Sequence, residues 1–569
     1  MRLTSSSLVL LELAASALAV PLTVDVEVGK GVTAPKPNHA RANEVKQAFE
    51  QSWNGYVKHA FPHDTLHPVS NSYEDDRAAW GVTVVDALST AIIMEKEHFV
   101  AKMLDHISKI DFTTTAKEND AISLFETNIR YLAGLLSGMP CSSTPPSLFP
   151  PLQLLSELED GDAQLGRDTV TYTHARARAL IGYDLLKGPF SGLVKDAAKV
   201  QNLLDQAKSL ADSLSIAFNT TSGVPQPTVY LNPTRRHGNS SSNNIAEVGT
   251  LILEWTRLSD LSGDGKYAQL AEKAESYLLR PTGSPEAFPG MVGGDVSIAD
   301  GKFINSDGGW SGGTDSFYEY LIKMYQYDPA KYGEYKDRWV LAADSTMKYL
   351  ASHPTSRKDL TFLSQYSGQK TIPVSTHLAS FAGGNFILGG VLLGSDKYKQ
   401  FGLDLTTSYF NNYQQAPAGI GPEVFQWVDA ALPANDTNNA PPPDAQKDFY
   451  AKSGFYTTAG SYILRPETSE SLYYAYRLTG DRKYQDMAWQ AFSAIKKVCK
   501  TGDAYAQLND VMQTNGGGYI DQMQSFWLAE TLKYLYLIFA KESDVQLQFQ
   551  GGTSKYVFNT EAHPFRVKG

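Results

Sequence analysis

Cysteine is almost missing: the 569 residues hold two, Cys141 and Cys499, too few for a disulfide scaffold or a cysteine zinc site. An oxidising compartment would still permit these two to pair. Charge is sparse as well, at 20% of residues, and acidic residues outnumber basic ones 61 to 50 for a net charge of −11. Such a surface repels polyanions, so nucleic acid is excluded as a partner. No later stretch reaches the ~20 apolar residues that a bilayer-spanning helix needs. The apolar run Leu8 to Val20 follows Arg2, contains Glu12 and ends in Ala17-Leu18-Ala19, the pattern of a cleavable secretory signal. The reading is a signal over 1–19, an N-terminal extension over 20–41 and one folded unit over 42–569, with no membrane span and a location in the secretory lumen or outside the cell. Asn219, Asn239 and Asn435 begin N-glycosylation sequons in polar, turn-rich stretches, which suits that compartment.

What is present is a large core-forming fraction: 42% hydrophobic residues, with 31 Tyr, 25 Phe and 8 Trp. The organisation is a repeat. The segments Leu261-Ser262-Gly263-Asp264-Gly265-Lys266-Tyr267, Tyr327-Asp328-Pro329-Ala330-Lys331-Tyr332, Gly394-Ser395-Asp396-Lys397-Tyr398 and Thr479-Gly480-Asp481-Arg482-Lys483-Tyr484 each separate two stretches of helical period. Gly followed by Asp is what a helix end followed by an N-cap requires, so each unit is a helical hairpin. Seven upstream helices, over Trp80 to Ile93, Ile122 to Leu136, Ile245 to Leu258, Thr314 to Tyr325, His377 to Leu393, Tyr462 to Leu478 and Gln522 to Phe539, are poor in Lys, as helices crowded on all sides should be. Their partners alternate charged and apolar residues. The fold class expected is all-α, an (α/α)7 barrel of seven hairpins; an open solenoid of the same hairpins is the alternative. The Pro- and Asn-rich interruptions at Ser137 to Gly166, Thr220 to Asn244 and Leu432 to Gln446 should rim one mouth.

Polar residues recur at one phase of the repeat. Glu247, Asp315, His377 and Glu467 lie near the starts of inner helices, and Asp86, Glu126 and Glu530 hold related places on three others. The same phase means the same end of a barrel, so these groups should meet in one cavity. Burying several carboxylates with few cations, here Arg130 and Arg465, is unfavourable unless a ligand, a metal or a proton is shared. Neighbouring carboxylates push their pKa values apart and provide an acid and a base at one pH, which suits glycoside hydrolysis. Phe125, Trp310, Phe317, Tyr318, Tyr473, Phe526 and Trp527 offer apolar faces to a sugar, Trp310 in its glycine-rich loop being the least core-like. His59, His63 and His67 are spaced by four, but Pro62 breaks the helix between them, so a packing role in a loop is expected rather than a metal face.

Five segments then carry a resemblance: Phe125-Glu126-Thr127-Asn128-Ile129-Arg130, Asp315-Ser316-Phe317-Tyr318-Glu319-Tyr320, Gly421-Pro422-Glu423, Leu464-Arg465-Pro466-Glu467-Thr468-Ser469-Glu470-Ser471 and Phe558-Asn559-Thr560-Glu561. In order and spacing they resemble the signatures of class I α-1,2-mannosidases, glycoside hydrolase family 47, over about Ala42 to Pro564. The resemblance implies an (α/α)7 barrel and exo-acting, inverting removal of terminal α-1,2-linked mannose from oligomannose N-glycans of glycoproteins by a monomer. It implies Glu126, Asp315 and Glu423 as candidates for the acid, Glu467 as the base, and calcium held directly by Thr560. Glu467, Glu470, Glu530 and Glu561 would hold the ion's waters. Arg130, Arg465, His377 and Phe526 would line the site of the terminal mannose, and Glu247 and Glu319 would address the next sugar.

Three positions depart from the family's pattern. Ser380 replaces the cysteine of His377-Leu378-Ala379-Ser380-Phe381, so the family's internal bridge is absent. Ser89 stands where an aspartate is common. Gly313 stands where the endoplasmic-reticulum members carry arginine, as in the secreted fungal type with its roomier site. The alternative function is a glycan-recognition protein of the same fold, weakly hydrolytic or not at all, in glycoprotein quality control.

Overall fold

The computed structural model describes residues 33–138, 185–186 and 188–568. The leader over 1–19, Cys141 and most of the Ser137 to Gly166 interruption lie outside the described residues. Among the described residues, seven inner helical segments form a ring. They are Val82–Asp86 with Leu88–Ile93; Leu124–Glu126 running through a π-turn, Thr127–Leu132, into Ala133–Gly138; Ile245–Gly249 with Ile252–Ser262; Asp315–Tyr327; Leu378–Phe381 with Ala382–Leu392; Glu467–Thr479; and Trp527–Thr531 with Leu532–Leu537. Each packs on the next, and the seventh returns to Leu88–Ile93. The ring is closed, which settles the choice between barrel and solenoid.

Each inner segment is backed by an outer helix: Glu97–Ile107, Ala197–Leu214, Lys266–Leu279, Gly333–Ser345, Asp396–Gln415, Arg482–Val498 and, behind the seventh, His39–His59. The two rings read differently in sequence because they are solvated differently. Glu467–Thr479 is buried at every position from Glu467 to Leu478. Arg482–Val498 buries only the stripe Tyr484, Ala488, Ala491, Phe492, Ile495 and Val498, the spacing of one face of an amphipathic helix.

The repeated segment does two jobs. Its glycines end inner helices in the left-handed region, at φ 73° for Gly263, 63° for Gly394 and 65° for Gly480, where a side chain would be strained. Its Lys-Tyr pair then clips neighbouring outer helices together. Tyr267 donates to Asp212 at 2.9 Å and Tyr398 to Asp344 at 2.7 Å. The lysines before them, Lys266 and Lys397, reach the same two carboxylates at 2.9 and 2.7 Å. Lys331 and Tyr332 meet Glu272 in the same way.

Short antiparallel ladders aim the starts of the inner helices at one mouth. Ile122–Ser123 pairs with Thr228–Tyr230, Ser242–Asn244 with Asp295–Ser297, and Val374–Thr376 with Val424–Gln426, each feeding directly into an inner segment. The interruptions at Thr220 to Asn244 and Leu432 to Gln446 adjoin these ladders. A hairpin, Tyr556–Phe558 with Pro564–Arg566, inserts against the Asp315–Tyr327 and Ala133–Gly138 helices and carries Thr560 in its turn. The histidine trio is not a metal face: His59 ends the first helix, while His63 lies flat on the Tyr73 ring, with centroids 3.5 Å apart, and bonds Asp75.

Candidate active site

A cavity of about 330 Å3 opens where the inner helices begin, lined among others by Glu126, Arg130, Glu247, Asp315, Glu319, Arg465, Glu467, Glu470, Phe526, Glu530, Thr560 and Glu561. Local chain chemistry places the acids. Ser123 caps the helix that carries Glu126, and Asn244 caps the one that carries Glu247, its side chain accepting from the Glu247 N–H at 2.9 Å. Asp315 and Glu467 are the first residues of their helices, where the exposed N–H groups favour a carboxylate.

Five of the seven ionisable groups expected at one end therefore meet in the cavity. Asp86 and His377 stand behind the wall instead, because each is consumed by a lining residue or its neighbours. Asp86 lies 3.7 Å from Arg130 and bonds Ser525 and His563. His377 Nδ1 donates to Glu467 Oε2 at 2.7 Å, and its Nε2 meets the Tyr413 hydroxyl at 2.7 Å. Glu423 is also off the lining, gripping Arg465 through two contacts of 2.8 and 2.5 Å. Of the aromatic residues, Phe125 and Phe526 face the cavity. Trp310 is core, 1% exposed, stacked on Tyr318 and donating to Thr346 at 2.9 Å; the small residues around it bury it rather than present it. Phe317, Tyr318, Tyr473 and Trp527 are fully buried.

The wall carboxylates split in protonation. Burial pushes Asp315 up to about 7, Glu319 and Glu467 adding to the push and the Ser316 N–H opposing it. Burial acts on Glu467 too, but the His377 hydrogen bond and the Arg465 charge outweigh it and hold Glu467 below the usual carboxylate range. Glu126 is likewise held low against its burial by Arg130, which donates to it at 2.7 Å, and by Arg77. Near neutral pH the wall thus offers one carboxylic acid facing two carboxylates.

The floor differs. Burial and neighbouring acids raise Glu470 to about 8 and Glu561 to about 8, and Glu530, hydrogen-bonded to Glu561, also lies well above its usual range. Arg130 reaches Glu561 Oε1 at 2.8 Å, but its Oε2 is buried without a partner. The nearest lysine, Lys323, is spent on Glu319 and stands 3.9 Å from Glu470.

The turn that carries Thr560 is held by Asn559, Tyr320 and Ser89 together with Glu254, Lys533 and His563, which the sequence reading did not single out. Asn559 Oδ1 accepts from the N–H groups of Glu561 and His563 at 3.0 and 2.7 Å, while its amide donates to buried Glu254 at 2.9 Å. The Thr560 N–H donates to the Tyr320 hydroxyl at 3.1 Å, and Lys533 donates to the Ala562 carbonyl at 2.6 Å and to Ser89 at 2.8 Å. Ser89 also meets His563 at 2.9 Å, and Ser380 bonds the His377 carbonyl at 2.6 Å. Gly313 lines the cavity at φ 89°, and a side chain there would meet open space.

Comparison with known proteins agrees with this geometry. The family model described as glycosyl hydrolase family 47 matches residues 48–567. The mannosyl-oligosaccharide α-1,2-mannosidase 1B of Aspergillus oryzae is 46% identical over 97% of this chain and 99% of its own length. The mannosyl-oligosaccharide α-1,2-mannosidase of Penicillium citrinum is 46% identical over 94% of this chain and 93% of its own. The solved α-1,2-mannosidase of Trichoderma reesei superposes with a TM-score of 0.84 at 55% identity, covering 94% of this chain and all of that one. With the closed ring of seven hairpins and the acid-lined mouth, these matches establish that the chain belongs to glycosyl hydrolase family 47.

Proposed function

We propose that the chain removes terminal α-1,2-linked mannose from oligomannose N-glycans, one residue at a time and with inversion. The observation that carries this reading is one cavity that holds both Glu467, bonded to His377 at 2.7 Å and held below the usual carboxylate range, and Asp315, pushed by burial up to about 7. Glu467, its carboxylate oriented by the His377 hydrogen bond, takes a proton from the attacking water. Asp315 is the candidate that holds a proton to give to the leaving oxygen. Glu126 and Glu423 are the ion-pair partners of Arg130 and Arg465, better placed to fix those guanidiniums than to donate. Arg130, Phe526 and Arg465 surround the terminal sugar, and Glu247 and Glu319 address the next. The open space beside Gly313 suits trimming of several branches rather than one.

The floor fits a hard cation: an orphan Glu561 oxygen, a Glu530–Glu561 pair sharing a proton, and Thr560 lining the cavity from a braced turn. Among the described residues no three His, Cys, Asp or Glu side chains are grouped as direct metal ligands, so water would stand between the acids and the ion. We assign the ion as calcium, with Thr560 as its protein ligand and Glu467, Glu470, Glu530 and Glu561 holding its waters; oxygen donors with retained waters suit it. When bound, it supplies positive charge against the floor carboxylates and a fixed seat for the sugar hydroxyls. A purely glycan-binding protein has no use for a base kept ionised by two partners, so hydrolysis is favoured.

The compartment we propose is the secretory lumen or the exterior: Asn219, Asn239 and Asn435 are all exposed, and no helix among the described residues is long and apolar enough to cross a membrane. The decisive experiment is proton NMR of a nine-mannose glycan with enzyme and calcium. Free mannose appearing first as the β-anomer is expected. An α-anomer would overturn inversion, and glycan binding without release would overturn hydrolysis.

A further inference from the structure

The rim segment between the first helix and the first inner segment is built with unusual rigidity. Ala78 and Ala79 both lie in the left-handed region, at φ 70° and 60°, followed by Gly81 at 77°. Two alanines in succession are disfavoured there, and such a turn persists only where its surroundings over-determine it. The surroundings are Asp64, whose carboxylate is 0% exposed. Its Oδ2 accepts from the N–H groups of Arg77 and Ala79, both at 2.8 Å, and its Oδ1 from Gly81 at 2.7 Å, Val82 at 3.0 Å and the Tyr131 hydroxyl at 3.1 Å. The one Tyr131 proton is shared between that oxygen and the Arg77 carbonyl, 3.0 Å from the hydroxyl. One buried side chain thus fixes both ends of a strained turn.

The turn delivers Arg77. Its Nη2 stands 3.8 Å from Glu126 Oε2, and its Nη1 is steadied by the Asp76 carbonyl at 3.0 Å and carboxylate at 3.3 Å. Charge counting shows why a second cation matters. Arg130 is shared among Glu126 at 2.7 Å, Glu561 at 2.8 Å and Asp86 at 3.7 Å. Glu561 holds its proton near neutral pH, so the one guanidinium still faces two anions, Asp86 and Glu126, and leaves Glu126 under-neutralised. The cations that face Glu126 are Arg130 and Arg77, and the titratable acids that face it are Asp86, Glu247 and Glu561.

We propose that Asp64, through the strained turn it holds, positions Arg77 as a second cation, shared with Asp76, that keeps Glu126 an anion at the cavity wall. The proposal rests on the mannosidase reading of the cavity but concerns residues outside its lining. Arg77 is a positioning residue for charge, and Asp64 positions Arg77. Their function is to keep Glu126 charged while Asp315, pushed up to about 7, carries the proton.

The test is the pH profile of kcat/KM for mannose release, measured on wild type, Arg77→Met and Arg77→Lys. Losing a cation about 4 Å away raises a carboxylate by roughly one unit or more. Glu126 fixes Arg130 beside the terminal sugar only as an anion, so the acidic limb of Arg77→Met is expected to move to higher pH by about one unit, while Arg77→Lys, which keeps the charge, stays near wild type. The melting temperature of Arg77→Met is expected to match wild type, since the side chain is one-third exposed. Superimposable profiles for Arg77→Met and wild type would overturn the proposal, and so would an Arg77→Met enzyme inactive at every pH. Wild-type enzyme that releases no mannose would instead sink the mannosidase reading. Asp64→Asn, if it folds, should shift the limb in the same direction with a lower melting temperature; the two Arg77 variants decide the matter if it does not.

Discussion

The wall and the floor of the cavity are lined by the same residue types and treat them in opposite ways. On the wall, Glu126 has Arg130, and Glu467 has His377 and Arg465. On the floor, Glu470, Glu530 and Glu561 outnumber the cations within reach and hold protons instead. Paired acids are fixed as anions by the protein itself. Acids that outnumber their cations hold protons, because a buried uncompensated carboxylate is far costlier than a neutral or ion-bound one.

The largest effect expected on the wall is from Glu467→Gln, which keeps the shape of the pocket and removes the base. Turnover should fall by about 10²–10⁴-fold with oligomannose affinity by calorimetry changed little. A turnover near wild type would put the base elsewhere.

Chelation addresses the floor. Without a cation, Glu470 and Glu561 titrate near 8 in the folded chain, against an ordinary value of 4.5. A raised folded-state pKa means stability fully present below about 4.5 and lost as pH rises toward 8, since the folded state binds more protons than the unfolded. Protein treated with EDTA should therefore lose melting temperature steeply between pH 5 and 8, while calcium-loaded protein should not. Parallel curves would mean that the floor needs no ion.

Outside the cavity, Glu275 on the Lys266–Leu279 helix makes a control. It is 1% exposed, neither oxygen has a partner, and burial alone raises it well above 4.5. With no ligand to receive, it is simply a liability, so Glu275→Leu should stabilise by about 1 kcal/mol. The gain should grow as pH rises above 4.5, because the carboxyl of the unfolded chain ionises there while the buried native one must keep its proton. A destabilised variant would reveal a hidden partner.

The smallest effect belongs to the outer ring. Lys397→Met removes one half of a surface clip to Asp344 and should change stability by no more than about 0.5 kcal/mol by chemical denaturation, as exposed ion pairs do. A larger loss would show that the clips brace the barrel.

Much of this was legible along the chain. The Gly-Asp breaks and the Lys-poor helices mark the rings, because solvation differs between inner and outer layers, and Glu126, Glu247, Asp315 and Glu467 share a phase because helix N-termini attract acids. Other features were not. Trp310 sits among small residues that look like a loop yet bury it. His377 shares the phase of the acids but is drawn behind the wall by Glu467. Asp64 and Arg77 carry no local pattern, since a left-handed turn made of alanines has none. Glu254, Tyr320 and Lys533 read as ordinary helix residues until the hairpin at Thr560 lands against them.

The order and spacing of residues determined the number of hairpins, the layer each helix occupies and the end at which the acids gather, since helical period and capping act over a few residues. Only closure of the ring decided which acids own a cation and which share a proton. That depends on distances of a few ångströms between segments hundreds of residues apart, where Coulomb interactions and burial set the charge of each group.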